Sequence, residues 1–213
     1  MKKLLPILLA LSCVFSLTAS AGLLGDDSGE VDVAAVGIWA GTGDFDLFSY
    51  GAGTELSYRE WFEGLPWGIG ASVGVQSWQV DKHAGNPFKW HGYSKYDGDA
   101  LVIPLGLNLY FAVIEWDNWN LVAEAGAKYL FVNEDIDLWN ADKGKREDVE
   151  IDNGILGNLG LSLEFLMSEH AYMTFTVGYQ GNLMKCDTEI GGRDACDATF
   201  DGAYGRIGFK ALL

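Results

Sequence analysis

The sequence predicts an all-β protein: an eight-stranded, antiparallel, up-and-down transmembrane β-barrel preceded by an N-terminal signal peptide. Three observations carry that expectation. Apolar residues alternate with small or polar ones at period two over unusually long stretches. The links between those stretches alternate between short and long, and glycines gather on the less apolar faces.

The clearest stretch runs from Leu101 to Phe111. Its odd positions, Leu101, Ile103, Leu105, Leu107, Leu109 and Phe111, are bulky and apolar, while Val102, Pro104, Gly106, Asn108 and Tyr110 between them are smaller or polar. A tilted transmembrane strand needs roughly 9–11 residues, whereas a soluble strand averages about 5–6. This stretch has the length of the former.

At the N-terminus, Lys2 and Lys3 precede an apolar run from Leu4 to Leu17 and the small-residue site Ala19-Ser20-Ala21. That order is a secretory signal peptide, which divides the chain into a signal at 1–21 and one barrel domain at 22–213. The apolar run is too short for a transmembrane helix, and no later segment approaches 18 consecutive apolar residues. An integral protein without such helices closes into a barrel, because lipid leaves no other way to satisfy every backbone group. The chain has 14 basic and 30 acidic residues, and loss of Lys2 and Lys3 makes the excess of acid larger still. Nucleic acid and anionic surfaces are poor partners for such a chain. Cys13 leaves with the signal, so export to an oxidising compartment predicts a Cys186–Cys196 disulfide.

The strands follow in order. The first, Asp32 to Thr42, is assigned with Ala34, Val36, Ile38 and Ala40 toward lipid, so that Gly37 and Gly41 point inward; the alternative turns Val33, Ala35 and Trp39 outward. The second, Gly51 to Trp61, sets Ala52, Thr54, Leu56 and Tyr58 against Gly53, Glu55, Ser57 and Arg59. A Gly- and Pro-bearing turn over Phe62–Pro66 leads to the third, Trp67 to Val80, and a polar loop, Asp81 to Asp99, leads to the Leu101 stretch. The fifth alternates from Leu121 to Phe131, and an acidic loop is expected from Asn133 to Asn153. The sixth sets Leu159, Leu161, Leu163 and Phe165 against Asn158, Gly160, Ser162 and Glu164. The seventh sets Met173, Phe175, Val177 and Tyr179 against Thr174, Thr176, Gly178 and Gln180. The eighth sets Ile207, Phe209 and Ala211 against Tyr204, Arg206, Gly208 and Lys210, after a loop from Met184 to Thr199. Pro104 removes one ladder hydrogen bond and suggests a bulge.

Short links follow the second, fourth and sixth strands, as periplasmic turns do, and aromatic residues such as Trp61, Trp67, Trp116, Trp78 and Tyr129 gather at both ends. With Ile-Pro-Leu-Gly-Leu at 103–107 and Ile207, Phe209 and Ala211 in the last strand, the chain resembles the OmpA/OmpX-like eight-stranded outer-membrane β-barrel family. That family usually ends in an aromatic residue read by the barrel-assembly machinery; this chain ends in Leu213. The resemblance implies an outer-membrane location, membrane lipids and the assembly machinery as partners, a periplasmic N-terminus, and a structural or surface-interaction role for extracellular loops that are long and acidic. An extracellular ligand at those loops is a possible partner.

Inside so narrow a barrel, charges of opposite sign at similar depth should pair. Counting from the short-turn end places Glu55, Glu124 and Arg206 at mid-depth, Arg59, Glu164 and Lys210 lower, and Lys128 higher. These seven are the expected lumen ion pairs, closing the interior or leaving at most a narrow polar path.

Two alternatives stand beside this reading. A soluble lipocalin-like barrel would bury the apolar face, but it gives no reason for glycines on a solvated exterior. A lipid-modifying enzyme, as some such barrels are, would use Ser77 and His83 at the rim, without a motif to support it; Ser168, Glu169 and His170 form no relay merely by adjacency. No enzyme is expected. Nor is a cofactor or metal: His83 and His91 lack further ligands, and Glu134 to Asp152 lacks calcium-loop spacing.

Overall fold

The computed structural model describes residues 29–40, 48–80, 93–184, 186–194 and 198–213. They form β1 (Gly29–Ala40), β2 (Phe48–Trp61), β3 (Trp67–Val80), β4 (Tyr93–Trp116), β5 (Trp119–Asn140), β6 (Lys145–Ile151), β7 (Gly154–Ser168), β8 (Ala171–Met184), β9 (Thr188–Ile190) and β10 (Gly202–Leu212). Eight strands run in the order β4-β3-β2-β1-β10-β8-β7-β5, and the pairing of β4 with β5 closes the ring. Every pairing is antiparallel, and β6 and β9 extend the wall beyond β5 at the long-loop end.

Alternation decides which face is which. Leu107, Leu159, Val177 and Phe209 stand outside, and Glu55, Asn108, Glu124, Thr176 and Arg206 are buried within. Apolar-out and polar-in is the reverse of a soluble lipocalin-type barrel, and it is how a barrel in lipid is built. On the outer wall Val73 and Ile103 pack with Leu56, Leu105 and Phe131. Ring pairs Trp67–Phe111 and Trp116–Trp119 mark the short-turn end.

The facing of β1 is opposite to the sequence expectation. Ala34, Val36 and Ile38 are buried, while Val33 and Trp39 are 55% and 63% exposed. The reason is upstream. Glu30 and Asp32 share a face with Ala34, so sending that face to lipid would strand two carboxylates there. Gly37 therefore faces outward, where the Trp39 indole lies over both it and its cross-strand partner Gly205.

Part of the expected polar loop at 81–99 and most of the expected acidic loop at 133–153 are strand. β4 begins at Tyr93, β5 runs to Asn140, and β6 returns from Lys145. The backbone turns at 141–144, where Asn140 Oδ1 accepts hydrogen bonds from the Asp142 and Lys143 amides at 3.1 Å and Gly144 takes a φ of 63°. Period two persists here beneath the charge. Ile136, Leu138, Val149 and Ile151 are buried, and Asp135, Asp148 and Glu150 alternate with them on the exposed face.

Pro104 interrupts the β3–β4 ladder without a bulge. Val73 pairs with Leu105 and Gln76 with Val102, the same register on both sides of the gap. Gly74 stands across from the pyrrolidine, whose Cγ would lie 3.0 Å from a Cβ there.

Candidate functional site: the barrel lumen

Two tiers of charge fill the lower and middle lumen. In the lower tier, the β1–β2 register sets Glu30 directly opposite Arg59. Arg59 donates from Nε to Glu30 at 2.5 Å and from Nη2 to Glu164 at 2.8 Å. Lys210 Nζ donates to the same two carboxylates, at 3.1 Å and 2.5 Å. Each acid touches both cations, so the tier is a closed square of alternating sign. Aromatic faces cover the cations: Arg59 lies 4.7 Å from the Trp61 ring and 5.0 Å from that of Tyr110, and Lys210 lies 4.4 Å from Tyr172.

The middle tier is a chain. Lys128 and Arg206 both donate to Glu55, Arg206 donates also to Glu124, and the Tyr204 hydroxyl donates to Glu124 at 2.7 Å. Both tiers are deeply buried. Removing charges from water is tolerated only when they are paired and their remaining valences bonded, which this arrangement achieves. Polar side chains fill the gaps. Asn158 donates to Asn108 at 3.3 Å, Asn108 to Ser72 at 3.4 Å, Thr176 to Ser162 at 3.0 Å, and Thr174 to Asp32 at 3.2 Å. The residual cavity among these charges is about 20 Å³, room for roughly one water.

Above the charges the lumen turns apolar. Phe200 stacks on Phe48 at 4.9 Å between ring centroids and meets the Trp78 ring edge-on at 5.2 Å. Val36, Ile38, Val80, Val102, Leu130 and Leu138 complete a buried core, which β6 and β9 continue with Val149, Ile151 and Ile190. Two polar anchors position it. Gln180 Nε2 donates to the Phe200 carbonyl at 2.6 Å, and Trp78 Nε1 to Gln76 Oε1 at 3.1 Å. The lumen is thus closed twice, by ions below and by hydrocarbon above.

All seven charges singled out in the sequence lie in the lumen. Glu55, Lys128, Glu124 and Arg206 meet in one tier, and Arg59, Glu164 and Lys210 in the other. Sequence reasoning missed Glu30, which lies before the expected start of the first strand at Asp32, although its period-two relation to Asp32 was visible. It missed the apolar closure as well, whose signal was the alternation of Ile136, Leu138, Val149 and Ile151 among acids. Ser77 sits on the outer wall with its hydroxyl 3.5 Å from Asp99 Oδ2. Ser168, Glu169 and His170 lie at an exposed turn. Cys186 is buried. The expected signal segment, His83, His91 and Cys196 lie outside the described residues.

Neither a protein-family model nor a curated protein matches the chain in sequence. Solved structures match it in fold. The outer membrane protein OprG from Pseudomonas aeruginosa is 14% identical with a TM-score of 0.63, over 90% of this chain and 99% of that one. A major outer membrane protein from Thermus thermophilus is 12% identical with a TM-score of 0.52, over 87% of this chain and all of that one. The fold is that of an outer-membrane β-barrel.

Proposed function

We propose that this chain is a non-catalytic integral protein of a Gram-negative-type outer membrane, closed to solutes, with a structural and surface-interaction role. One observation carries the proposal: the lumen is filled at two levels, by the paired charges from Glu30 to Arg206 and by the Phe48–Trp78–Phe200 core. The exterior supports the membrane placement, since Leu107, Val177, Ile207 and Phe209 offer water nothing but hydrocarbon. In this placement the short turns face the periplasm and the extended β4–β5–β6–β9 wall faces outward. Its exposed Asp135, Asp148, Glu150 and Glu189 form the acidic surface available to an extracellular ligand. Membrane lipids are the standing partner of the belt, and β10, with Ile207 and Phe209 outward, is the strand offered to the assembly machinery.

Two measurements test this. Purified protein run unheated on a denaturing gel should migrate differently from a boiled sample, and reconstituted protein should give little or no steady conductance in a planar bilayer. Equal gel mobility without β-signal in detergent removes the membrane reading. Large, steady conductance removes the closed lumen.

A further inference from the structure

The charges of the lower and middle lumen do not balance. Among the described residues the acids there are Glu30, Asp32, Glu55, Glu124 and Glu164, and the cations are Arg59, Lys128, Arg206 and Lys210, one fewer. The acid left over is Asp32. The strand registers set it opposite Lys210 and Ser57, yet Lys210 donates to Glu30 and Glu164 instead. Arg59 is committed to the same two acids, Arg206 to Glu55 and Glu124, and Lys128 to Glu55. Asp32 accepts only from the Thr174 hydroxyl, at 3.2 Å. An enclosed carboxylate with a hydroxyl as its sole partner is costly unless a positive charge joins it.

This carboxylate is open to a cavity. Asp32 is partly exposed, and it lines the space of about 20 Å³ between the tiers, with Ser57 and Ser162 beside it. Gly208 makes the room, since a Cβ there would lie 2.7 Å from Asp32 Oδ1. One carboxylate and two serine hydroxyls are hard oxygen donors around a space the size of one water. Charge and size then select the occupant. A single positive charge completes the balance, where a divalent ion would leave an excess. Mg²⁺ also keeps several of its waters, for which this cavity has no room.

We propose that the cavity binds one dehydrated sodium ion, held by the Asp32 carboxylate and the Ser57 and Ser162 hydroxyls. The site rests on the closed lumen given above, because bulk water in an open lumen would solvate Asp32 without any ion.

The test is urea unfolding of the barrel in lipid vesicles, in sodium chloride or choline chloride at equal ionic strength and pH. Choline carries the same charge and is too large for the cavity, so screening stays constant. Heat-modifiable migration before each titration is the control for a folded barrel. With sodium at about ten times its Kd, the folded-to-unfolded ratio should be about tenfold higher than in choline, and the gain should saturate. Asp32→Asn keeps the shape and removes the charge, so its unfolding midpoint should be the same in both salts. Ser57→Ala should keep the gain but move its half-saturation to higher sodium. Equal wild-type midpoints in the two salts overturn the site, as does a sodium gain that survives Asp32→Asn. A wild type indifferent to sodium but stabilised by acid, with Asp32→Asn indifferent to both, assigns the missing charge to a proton and overturns the ion. Large, steady bilayer conductance removes the closed lumen itself, and the site with it.

Discussion

Arg206 of β10 and Glu124 of β5 are hydrogen-bonded across the lumen although two strands, β8 and β7, separate them in the wall. With Arg206 also donating to Glu55 of β2, one guanidinium ties three parts of the ring together. Replacing it with alanine leaves Glu124 with the Tyr204 hydroxyl and Glu55 with Lys128, and an excess of buried negative charge. Arg206→Ala should therefore destabilise the barrel by about 3–5 kcal/mol in urea titration. Conductance should stay low, because the lower tier and the Phe48–Trp78–Phe200 core still close the lumen. Unchanged stability would refute the cross-brace.

The apolar closure makes a separate expectation. Phe200 contacts Phe48 and Trp78 and is fully buried, so Phe200→Ala removes a large ring from a packed site. Truncations of this kind cost about 3–5 kcal/mol. Conductance should stay low, since the ionic tiers beneath remain intact. A steady current in this variant would show that the ions alone do not seal the lumen.

How much of this was legible beforehand follows from the physics of each residue. Glu55, Arg59, Glu124 and Arg206 were readable because charges on the small-residue face of a long alternating strand have nowhere to go but inside. β1 was misread because its two faces, Ala34-Val36-Ile38 and Val33-Ala35-Trp39, are similarly apolar, and the deciding charges, Glu30 and Asp32, lay at or before the assumed start. The β5–β6 hairpin was hidden because Asp135, Asp148 and Glu150 raise its polarity while leaving its period intact. Which cation meets which acid depends on register between strands far apart in sequence, and no local pattern carries that.

The facing of β1 can be checked directly. Cysteine placed at Ala35 should react with a membrane-soluble maleimide in the folded protein, and cysteine at Ala34 should not. In the same spirit, Lys at Leu107, Leu161 or Val177 should cost about 2–4 kcal/mol where the site is near the bilayer midplane. Protection at Ala35 together with reaction at Ala34 would restore the opposite facing.

Cys186 lies between β8 and β9, where it bridges to Ala198, beside Gly154 of β7. A bond to Cys196 would close a loop of about eleven residues, worth roughly 2–3 kcal/mol on chain-entropy grounds. Unreduced, denatured protein should then resist alkylation at both positions, and reduction should make both available. Labelling of both thiols without reductant is the contrary result.

The lower tier should be non-additive, for a reason visible in its geometry. Glu30 and Glu164 each touch both Arg59 and Lys210. Removing one cation leaves each acid a remaining partner, so Arg59→Met or Lys210→Met alone leaves neither carboxylate stranded. Removing both leaves two buried carboxylates facing each other with no cation in the tier, where repulsion and desolvation act together. The double variant should therefore lose more stability than the two single variants combined, by about 0.5–3 kcal/mol, the range for residues in one ionic network. Urea unfolding of the four proteins in lipid vesicles measures the excess. If the losses instead add to within about 0.3–0.5 kcal/mol, the scatter expected of independent sites, the square acts as two separate salt bridges. Adding Glu30→Gln and Glu164→Gln to the double variant should then recover part of the loss, since the stranded charge is gone while the side-chain volume stays.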